Sequence, residues 1–335
     1  MTNQANTSNK PERFSKENTE VFTIKEYIEI NDLQQGMIIE SENIHNPVLL
    51  FLHGGPGMPE YPIIKDDNLL LHEYFTVCYW DQRGSGMSFC PKEKEESLTF
   101  EQLIKDTVAV TKHLCEKFNK EKVYLFGHSW GTFLGIATVS KFPEYYHAYI
   151  GSGQLGNAVE SEKETLRFLK DEAKKRKHKK VQEKLQNIII NQDYYKNKAY
   201  LKIRGKYVSE YGGGIKREGI TNSALLKQYF LCKPYTLKEK INIFRGAMKV
   251  SGLMDTVSRN SLIDLAPKLN IPIYIFQGKF DYATTYNQAK IFFDQIEAPS
   301  KKFYTFEHSA HSPFLEEKEL FYDILEKDVL SSLPQ

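Results

Sequence analysis

The sequence predicts an α/β protein with a mostly parallel, doubly wound sheet, and two observations support this prediction. Short runs of apolar, β-branched and aromatic residues, such as residues 48–52 and 123–126, have the character of buried strands. They alternate with longer segments of helical spacing, such as residues 99–118. The chain has 335 residues, enough for one α/β core that carries an inserted segment.

The elements follow in order along the chain. Residues 23–30 and 37–40 are predicted to form an opening antiparallel hairpin, with turn chemistry at Asn31-Asp32 and Gln35-Gly36. Further strands are predicted at residues 48–52, 75–80, 123–126, 148–150, 271–276 and 302–306. The helix over residues 99–118 opens on Thr99 and Gln102, which have the spacing of a capping box.

A possible nucleophile lies directly after the strand at residues 123–126. Residues 127–131 read Gly-His-Ser-Trp-Gly and are followed by a helical segment, the context that a nucleophile elbow requires. Gly127 and Gly131 would occupy positions where a Cβ collides with neighbouring backbone. We therefore predict that Ser129 is a nucleophile and that the amide of Trp130 points toward the oxyanion. A buried turn of small residues is the alternative interpretation.

A nucleophilic serine needs a base and an acid that orients the base, and in this arrangement both follow the serine in the chain. Asp281 lies just after the strand at residues 271–276, at the edge where parallel sheets bind ligands. Two histidines, His308 and His311, follow the last strand. We prefer His311 as the base because it lies deeper in the loop, and we expect Asp281 to be the acid.

The oxyanion needs a second donor besides Trp130. The strand at residues 48–52 ends in His53-Gly-Gly-Pro-Gly57, where glycines let the backbone approach a reacting carbon closely. We assign the amide of Gly55 as this donor, with Gly54 as the close alternative. His53 is expected to support the loop, and an ordinary Gly-Pro turn is the other interpretation of this segment.

Five segments together resemble the prolyl aminopeptidase (proline iminopeptidase) family of α/β-hydrolases. They occur in the family's order and are residues 53–57, 81–86, 127–131, 278–281 and 310–313. The resemblance covers the chain from about Thr23 to its end, except for the middle. It implies a triad of Ser129, Asp281 and His311, an oxyanion hole built from Gly55 and Trp130, and a helical cap.

The resemblance also implies a domain organisation. Residues 21–154 and 259–335 would be the two halves of an α/β-hydrolase core, and residues 155–258, rich in Lys, Glu, Leu and Tyr, a helical cap. Only Ile188–Ile190 in that segment could pass for a strand. Residues 1–20 are polar and are expected to form a flexible extension rather than a signal or a membrane anchor.

The predicted function is a serine hydrolase that cleaves an amide or ester through an acyl-enzyme, with no cofactor and no metal ion. The resemblance favours an aminopeptidase similar to proline iminopeptidase, acting on small peptides. The alternatives are an esterase or amidase for another small molecule, and a ligand-binding protein that kept the fold without the chemistry. Acyl transfer to an acceptor other than water would use the same residues.

Specificity is the part of the function that the sequence leaves open. An aminopeptidase must present a carboxylate to the ammonium group of its substrate, because an unpaired buried cation is costly. The sequence does not rank the candidates, which are Glu160, Glu164, Glu210, Glu218 and Asp255 in or near the cap and Glu60 on the core side.

Composition excludes several other classes of protein. The chain is 41% hydrophobic and 13% aromatic, so it can bury a substantial core. Its net charge of +2 provides no general attraction to nucleic acid or to an anionic membrane, and the basic run at residues 174–180 is offset by nearby acidic residues. The four cysteines lack the spacing of a zinc or redox site, so a cytoplasmic protein with reduced thiols is expected.

Overall fold

The computed structural model describes residues 21–331, which contain one eight-stranded sheet. The strand order is β1-β2-β4-β3-β5-β6-β7-β8, with β1 and β2 antiparallel to their neighbours and the other pairs parallel. The strands are β1 (Phe22–Ile30), β2 (Leu33–Ser41), β3 (Val48–Leu52), β4 (Thr76–Trp80), β5 (Val123–His128), β6 (Tyr146–Ser152), β7 (Ile273–Gly278) and β8 (Lys301–Phe306). The predicted fold class is confirmed.

The helices fall into those that flank the sheet and those inserted after β6. The flanking helices are α1 (Tyr61–Asp66), α2 (Phe100–Phe118), α3 (Trp130–Lys141), α11 (Tyr286–Gln295), α12 (Pro313–Glu316) and α13 (Lys318–Ile324). The inserted helices are α4 (Ala158–Lys175), α5 (Lys179–Leu185), α6 (Lys198–Glu210), α7 (Asn222–Leu231), α8 (Leu237–Lys249), α9 (Met254–Arg259) and α10 (Leu262–Leu265). Short 3₁₀ turns and a π-helical turn at Leu325–Leu330 complete the described chain.

Both faces of the sheet are covered. Side chains along each strand alternate between the two faces, so each buried strand contributes residues to both apolar clusters. On β3, Leu50 and Leu52 pack into the cluster that contains residues of α2 and α3. Leu49 and Phe51 pack into the opposite cluster, with Phe314 and other residues near the carboxyl end of the chain. Both faces of β3 are therefore buried, which explains why its sequence is apolar at every position.

The opening hairpin differs from the prediction at one turn. Asn31 and Asp32, both with positive φ, form the turn between β1 and β2, as expected. Gln35 and Gly36, however, lie inside β2, so the predicted turn there is wrong. Gly36 instead allows the backbone of β2 to lie close to Met87, because a Cβ on it would be 2.4 Å from the Cβ of Met87.

Helix α2 begins with only half of the predicted capping box. The Thr99 side chain accepts a hydrogen bond from the Gln102 amide at 3.1 Å. The Gln102 side chain does not return to Thr99 but donates to Asp106 at 2.8 Å. The buried Asp106 also forms an ion pair with Arg83. The Gln102 side chain therefore binds a member of this ion pair instead of completing the capping box.

The insertion between β6 and β7 is helical and has a core of its own. Leu166, Leu169, Leu185 and Tyr200 are buried in a third apolar cluster formed mainly by α4, α5 and α6. Ile188–Ile190, which could have formed a strand, are not in regular structure. The predicted extension at residues 1–20 lies outside the described residues. Among residues 21–331, no helix is both long and apolar enough to cross a membrane.

Candidate active site

Ser129 lies on a sharp turn between β5 and α3. Its backbone has φ 55° and ψ −120°, a conformation that side-chain-bearing residues rarely adopt. A Cβ on Gly127 would lie 2.5 Å from the carbonyl oxygen of Gly131, and a Cβ on Gly131 would lie 2.0 Å from that of Leu52. Only glycine fits at both positions, and together they allow the turn that raises Ser129 above the sheet.

Asp281 and His311 form a buried hydrogen-bonded pair. His311 Nδ1 lies 2.9 Å from Asp281 Oδ2, which leaves Nε2 as the basic nitrogen of the ring. The carboxylate is held by further donors, because Oδ1 accepts the amides of Ala283 and Thr284 at 2.8 and 2.9 Å. The Gln277 side chain donates to Oδ2 at 2.8 Å. The acid can therefore hold the imidazole in one orientation.

The two histidines after β8 occupy different environments. His308 is exposed, and its backbone amide donates to Glu317 at 3.1 Å. His311 is buried, lines a cavity together with Ser129, and lies so close to Gly153 that a Cβ there would be 2.7 Å from its Cε1. The sequence-predicted acid and base are thus brought together on the side of the sheet where Ser129 lies.

The two residues predicted to supply the oxyanion donors, Gly55 and Trp130, line one cavity together with Ser129. Trp130 is the first residue of α3, so its amide has no partner within the helix and belongs to the positive end of the helix dipole. Gly55, with φ 115°, lines both cavities that contain Ser129.

His53 is a neutral support for this loop. The Gln82 amide donates to His53 Nε2 at 3.1 Å, so the ring hydrogen is on Nδ1, which lies 2.9 Å from the Gly54 carbonyl oxygen. Burial lowers the pKa of His53 to about 4. The ring therefore holds the glycine loop in place, as the sequence suggested, and is not available as a base.

The segment that follows β4 joins the glycine loop at residues 53–57 to helix α3. The Gln82 side chain donates to the His53 carbonyl at 2.9 Å and accepts the indole N–H of Trp130 at 3.0 Å. Asp81 is buried and accepts the hydroxyl of Tyr235 at 2.7 Å. Asp81 thus ties the core to the insertion and does not contact His311.

Two cavities meet at Ser129. The larger, about 540 Å³, opens between the core and the insertion, and the smaller, about 210 Å³, lies beside His311. Ser129 and Gly55 line both. Met254 borders the larger cavity and Tyr229 the smaller, whereas Met248 is exposed. The reacting group of a substrate can therefore sit at Ser129 with a part in each cavity.

A second histidine–carboxylate pair near Ser129 was not predicted from sequence. His128 Nδ1 lies 2.5 Å from Glu60 Oε1, and its Nε2 lies 3.1 Å from the carbonyl oxygen of His311. Burial opposes a charge on His128, but the Glu60 carboxylate outweighs it, and the pKa of His128 is raised. The partners are 68 positions apart and no motif joins them, so only the fold could reveal the pair.

Thr284 is another residue that sequence reasoning missed. Its hydroxyl donates to Asp281 Oδ2 at 2.9 Å and lies 3.2 Å from His311 Nδ1. It therefore contacts both Asp281 and His311. Across the described ranges, no group of three or more His, Cys, Asp or Glu side chains is arranged to hold a metal ion.

Comparison with known proteins places the chain in a family. Residues 47–318 match the model of the α/β-hydrolase fold family, so the chain belongs to that family. It is 30% identical over 305 residues to the probable aminopeptidase YbaC of Bacillus subtilis, covering 91% of this chain and 95% of that protein. It is 24% identical to a proline iminopeptidase of Saccharolobus solfataricus, covering 84% of each chain.

A solved structure supports the same assignment of the fold. The proline iminopeptidase of Mycobacterium smegmatis superposes with a TM-score of 0.64 at 18% identity, covering 92% of this chain and 98% of that one. The family match and the relatives confirm the resemblance to the prolyl aminopeptidase family that the five sequence segments indicated, and they support a hydrolase.

Proposed function

We propose that this protein is a serine hydrolase that cleaves substrates with a free amino terminus, as an aminopeptidase similar to proline iminopeptidase. One observation supports the chemistry above all: the buried Asp281–His311 pair lies beside the strained turn that presents Ser129, and His311 and Ser129 line the same cavity. The substrate class is supported by the aminopeptidase and proline iminopeptidase relatives.

In the acylation step, His311 Nε2 takes the proton of Ser129 as Oγ attacks the carbonyl carbon. The amides of Trp130 and Gly55 stabilise the resulting oxyanion, and one such donor is worth about 3 kcal/mol in other enzymes. The tetrahedral intermediate then collapses, the C–N bond breaks, and His311 donates its proton to the leaving amine. Asp281 keeps the imidazole in the tautomer that this transfer needs.

Deacylation repeats the same path with water. His311 removes a proton from a water molecule, the resulting hydroxide attacks the acyl carbon, and the same two amides stabilise the oxyanion. When the C–O bond to Ser129 breaks, His311 returns its proton to Oγ. The released products are one amino acid and the shortened peptide, and the enzyme is restored.

The nucleophile can be tested with a serine-directed fluorophosphonate. We expect the reagent to label Ser129 and to abolish hydrolysis, because only an activated serine reacts readily. The Ser129→Ala variant is the control and should not be labelled. Equal labelling of that variant would show that another residue is the nucleophile.

The substrate class needs a separate assay. Prolyl and leucyl anilides, their N-acetyl counterparts and short p-nitrophenyl esters should be compared by kcat/KM. We expect the free-amine anilides to be strongly preferred over the acetylated ones. Equal values, or a preference for the esters, would reject aminopeptidase activity while leaving a general serine hydrolase.

A further inference from the structure

We propose that Glu60 binds the α-ammonium group of the substrate and that the small cavity beside it holds the side chain of the substrate's first residue. This assignment rests on the proposed aminopeptidase function and deepens it. It selects one of the six carboxylates that the sequence left unranked.

The position of Glu60 relative to the nucleophile is the first observation. An ideal Cβ on Gly54 would lie 3.1 Å from Ser129 Cβ and 3.3 Å from Glu60 Oε1. The Glu60 carboxylate and the Ser129 side chain therefore both approach the same point beside Gly54. Glu60 precedes α1, but its side chain does not cap that helix and turns toward His128 instead.

One oxygen of this carboxylate has no partner. Oε1 is bound by His128, whereas Oε2 is buried and makes no hydrogen bond within the described part of the chain. A buried acceptor without a donor is unfavourable, so Oε2 is ready to receive one. Both ring nitrogens of His128 face acceptors, so His128 cannot also serve Oε2.

The cavity around Glu60 fits a single apolar side chain. Its volume is about 210 Å³, and Ile63, Leu225, Tyr229 and Phe314 are among its lining residues. In an aminopeptidase substrate the ammonium nitrogen is only two bonds from the carbonyl carbon. When the scissile carbonyl of the substrate is at Ser129, its ammonium nitrogen is therefore close to Glu60. The proline ring or a short side chain of the first residue then enters the apolar cavity.

The larger cavity then receives the rest of the peptide. It is about 540 Å³, and three basic residues line it. Lys196 and Arg204 are already paired with Asp193 and Glu162, so Lys198 is the lining cation that suits a peptide's terminal carboxylate. Its one acidic lining residue, Glu162, is occupied by Arg204 at 2.7 and 2.8 Å. An ammonium group would therefore find its free acceptor in the smaller cavity.

The other carboxylates suggested from sequence lie elsewhere. Glu160 and Asp255 are paired with Lys163 and Arg259 in exposed ion pairs. The remaining three line a separate cavity of about 850 Å³ that does not include Ser129; they are Glu164, Glu210 and Glu218. Glu60 is the candidate that combines a shared cavity with Ser129 and a free buried oxygen.

The test is the nearly isosteric substitution Glu60→Gln. We expect kcat/KM for prolyl and leucyl anilide to fall on the order of 100-fold, chiefly through KM, because a buried charged partner is lost. Hydrolysis of p-nitrophenyl butyrate, which has no ammonium group, should change little. Glu60→Asp keeps the negative charge but places it farther from the substrate, because the side chain is one methylene shorter. We therefore expect an intermediate loss of kcat/KM on the anilides.

Glu164→Gln is the matched control. It removes the same charge from the separate cavity of about 850 Å³, which Ser129 does not line, and should preserve both activities. If the wild-type protein shows no preference for free-amine substrates, the proposed function fails. If the preference exists and survives in Glu60→Gln, the ammonium binds elsewhere and this inference is overturned. Equal loss of anilide and ester hydrolysis in a folded Glu60→Gln protein would also overturn it, since Glu60 would then only position His128.

Discussion

Three buried histidines surround Ser129, and each has a different set of neighbours. His53 accepts a backbone N–H and stays neutral, with a pKa of about 4. His128 faces acceptors at both nitrogens, and its pKa is raised. His311, whose ring centroid is 4.7 Å from that of His128, meets a carboxylate at Nδ1 only. Of the three, His311 has the neighbours that a general base needs.

The choice between the two histidines after β8 can be tested directly. We expect His311→Ala to lower turnover by about 10⁴-fold or more, as removal of the base does in other triads. His308→Ala should retain most activity because that side chain is exposed. Steady-state kinetics on one anilide and one ester measures both variants. The reverse ranking would show that His308 is the base.

Asp81 should make stability depend on pH. Burial raises its pKa from 3.8 to about 7, although the Met87 amide and the Tyr235 hydroxyl act in the other direction. The folded protein therefore binds this proton more tightly than the unfolded chain, and its contribution to stability is lost as pH rises from about 4 to about 7.

The substitution Asp81→Asn removes this titration while keeping an acceptor for the Met87 amide. We expect the Tm of the variant minus the Tm of the wild type to be larger at about pH 8 than at about pH 5. Thermal unfolding followed by circular dichroism at both values measures the difference. A difference in Tm that does not vary with pH would show that Asp81 is already ionised in the folded protein.

At the scale of elements, the loop between α6 and α7 joins the loop that carries Asp281 to the loop that carries His311. The Gly213 carbonyl accepts the Tyr282 amide at 3.0 Å, next to Asp281, and the Gly214 carbonyl accepts the His311 amide at 3.0 Å. The sequence has no motif that joins this glycine run to either loop. Its partners are distant in the chain, so its role depends on how the insertion folds back on the core.

Two glycines of this region allow a matched comparison. A Cβ on Gly213 would lie 2.9 Å from Tyr282 Cβ, whereas a Cβ on Gly205, within α6, would meet nothing within 4 Å. We expect Gly213→Ala to displace the loop and lower kcat. Gly205→Ala should keep activity and raise the unfolding free energy by about 0.5–1 kcal/mol.

Kinetics and urea unfolding distinguish these two effects. An unchanged kcat in Gly213→Ala would mean that the loop does not position the acid and the base. A loss of stability in Gly205→Ala would mean that this part of α6 has neighbours other than solvent.

At the scale of the whole molecule, the insertion and the core are joined by polar contacts as well as by apolar packing. Arg204 on α6 binds the buried Glu162 on α4 and donates to the Ala283 carbonyl at 2.9 Å, beside Asp281. On the opposite side, Lys25 of β1 binds Glu239 of α8 at 2.7 Å. The insertion is thus tied to the core at the acid loop and at the outer strand.

Loss of Arg204 should be costly because it removes the cationic partner of the buried Glu162 carboxylate, to which the Tyr200 hydroxyl would still donate. We expect Arg204→Met to lower the unfolding free energy by about 3–5 kcal/mol. The double variant Arg204→Met/Glu162→Gln should recover part of this loss. Urea unfolding of the two single variants and the double variant provides a thermodynamic cycle. A double variant no more stable than Arg204→Met would show that the two side chains are not coupled.

The sequence by itself determined the parts of this protein that local chemistry specifies. The strand–turn–helix around Ser129 requires its two glycines, and strand β3 must be apolar at every position because both of its faces are buried. The triad and oxyanion roles remain predictions, as do the boundaries of residues 155–258 as a cap, but the structure places Asp281 against His311 and both near Ser129.

Only the tertiary structure decided which distant side chains meet. The Glu60–His128 pair, the position of Thr284 between acid and base, and the bridging role of Gly213 and Gly214 all join separate elements. Gln35 shows the same effect locally, because its strand pairing overrides a turn-like sequence. Periodicity and motifs report neighbours along the chain, whereas a binding cavity is formed by residues that only packing brings together.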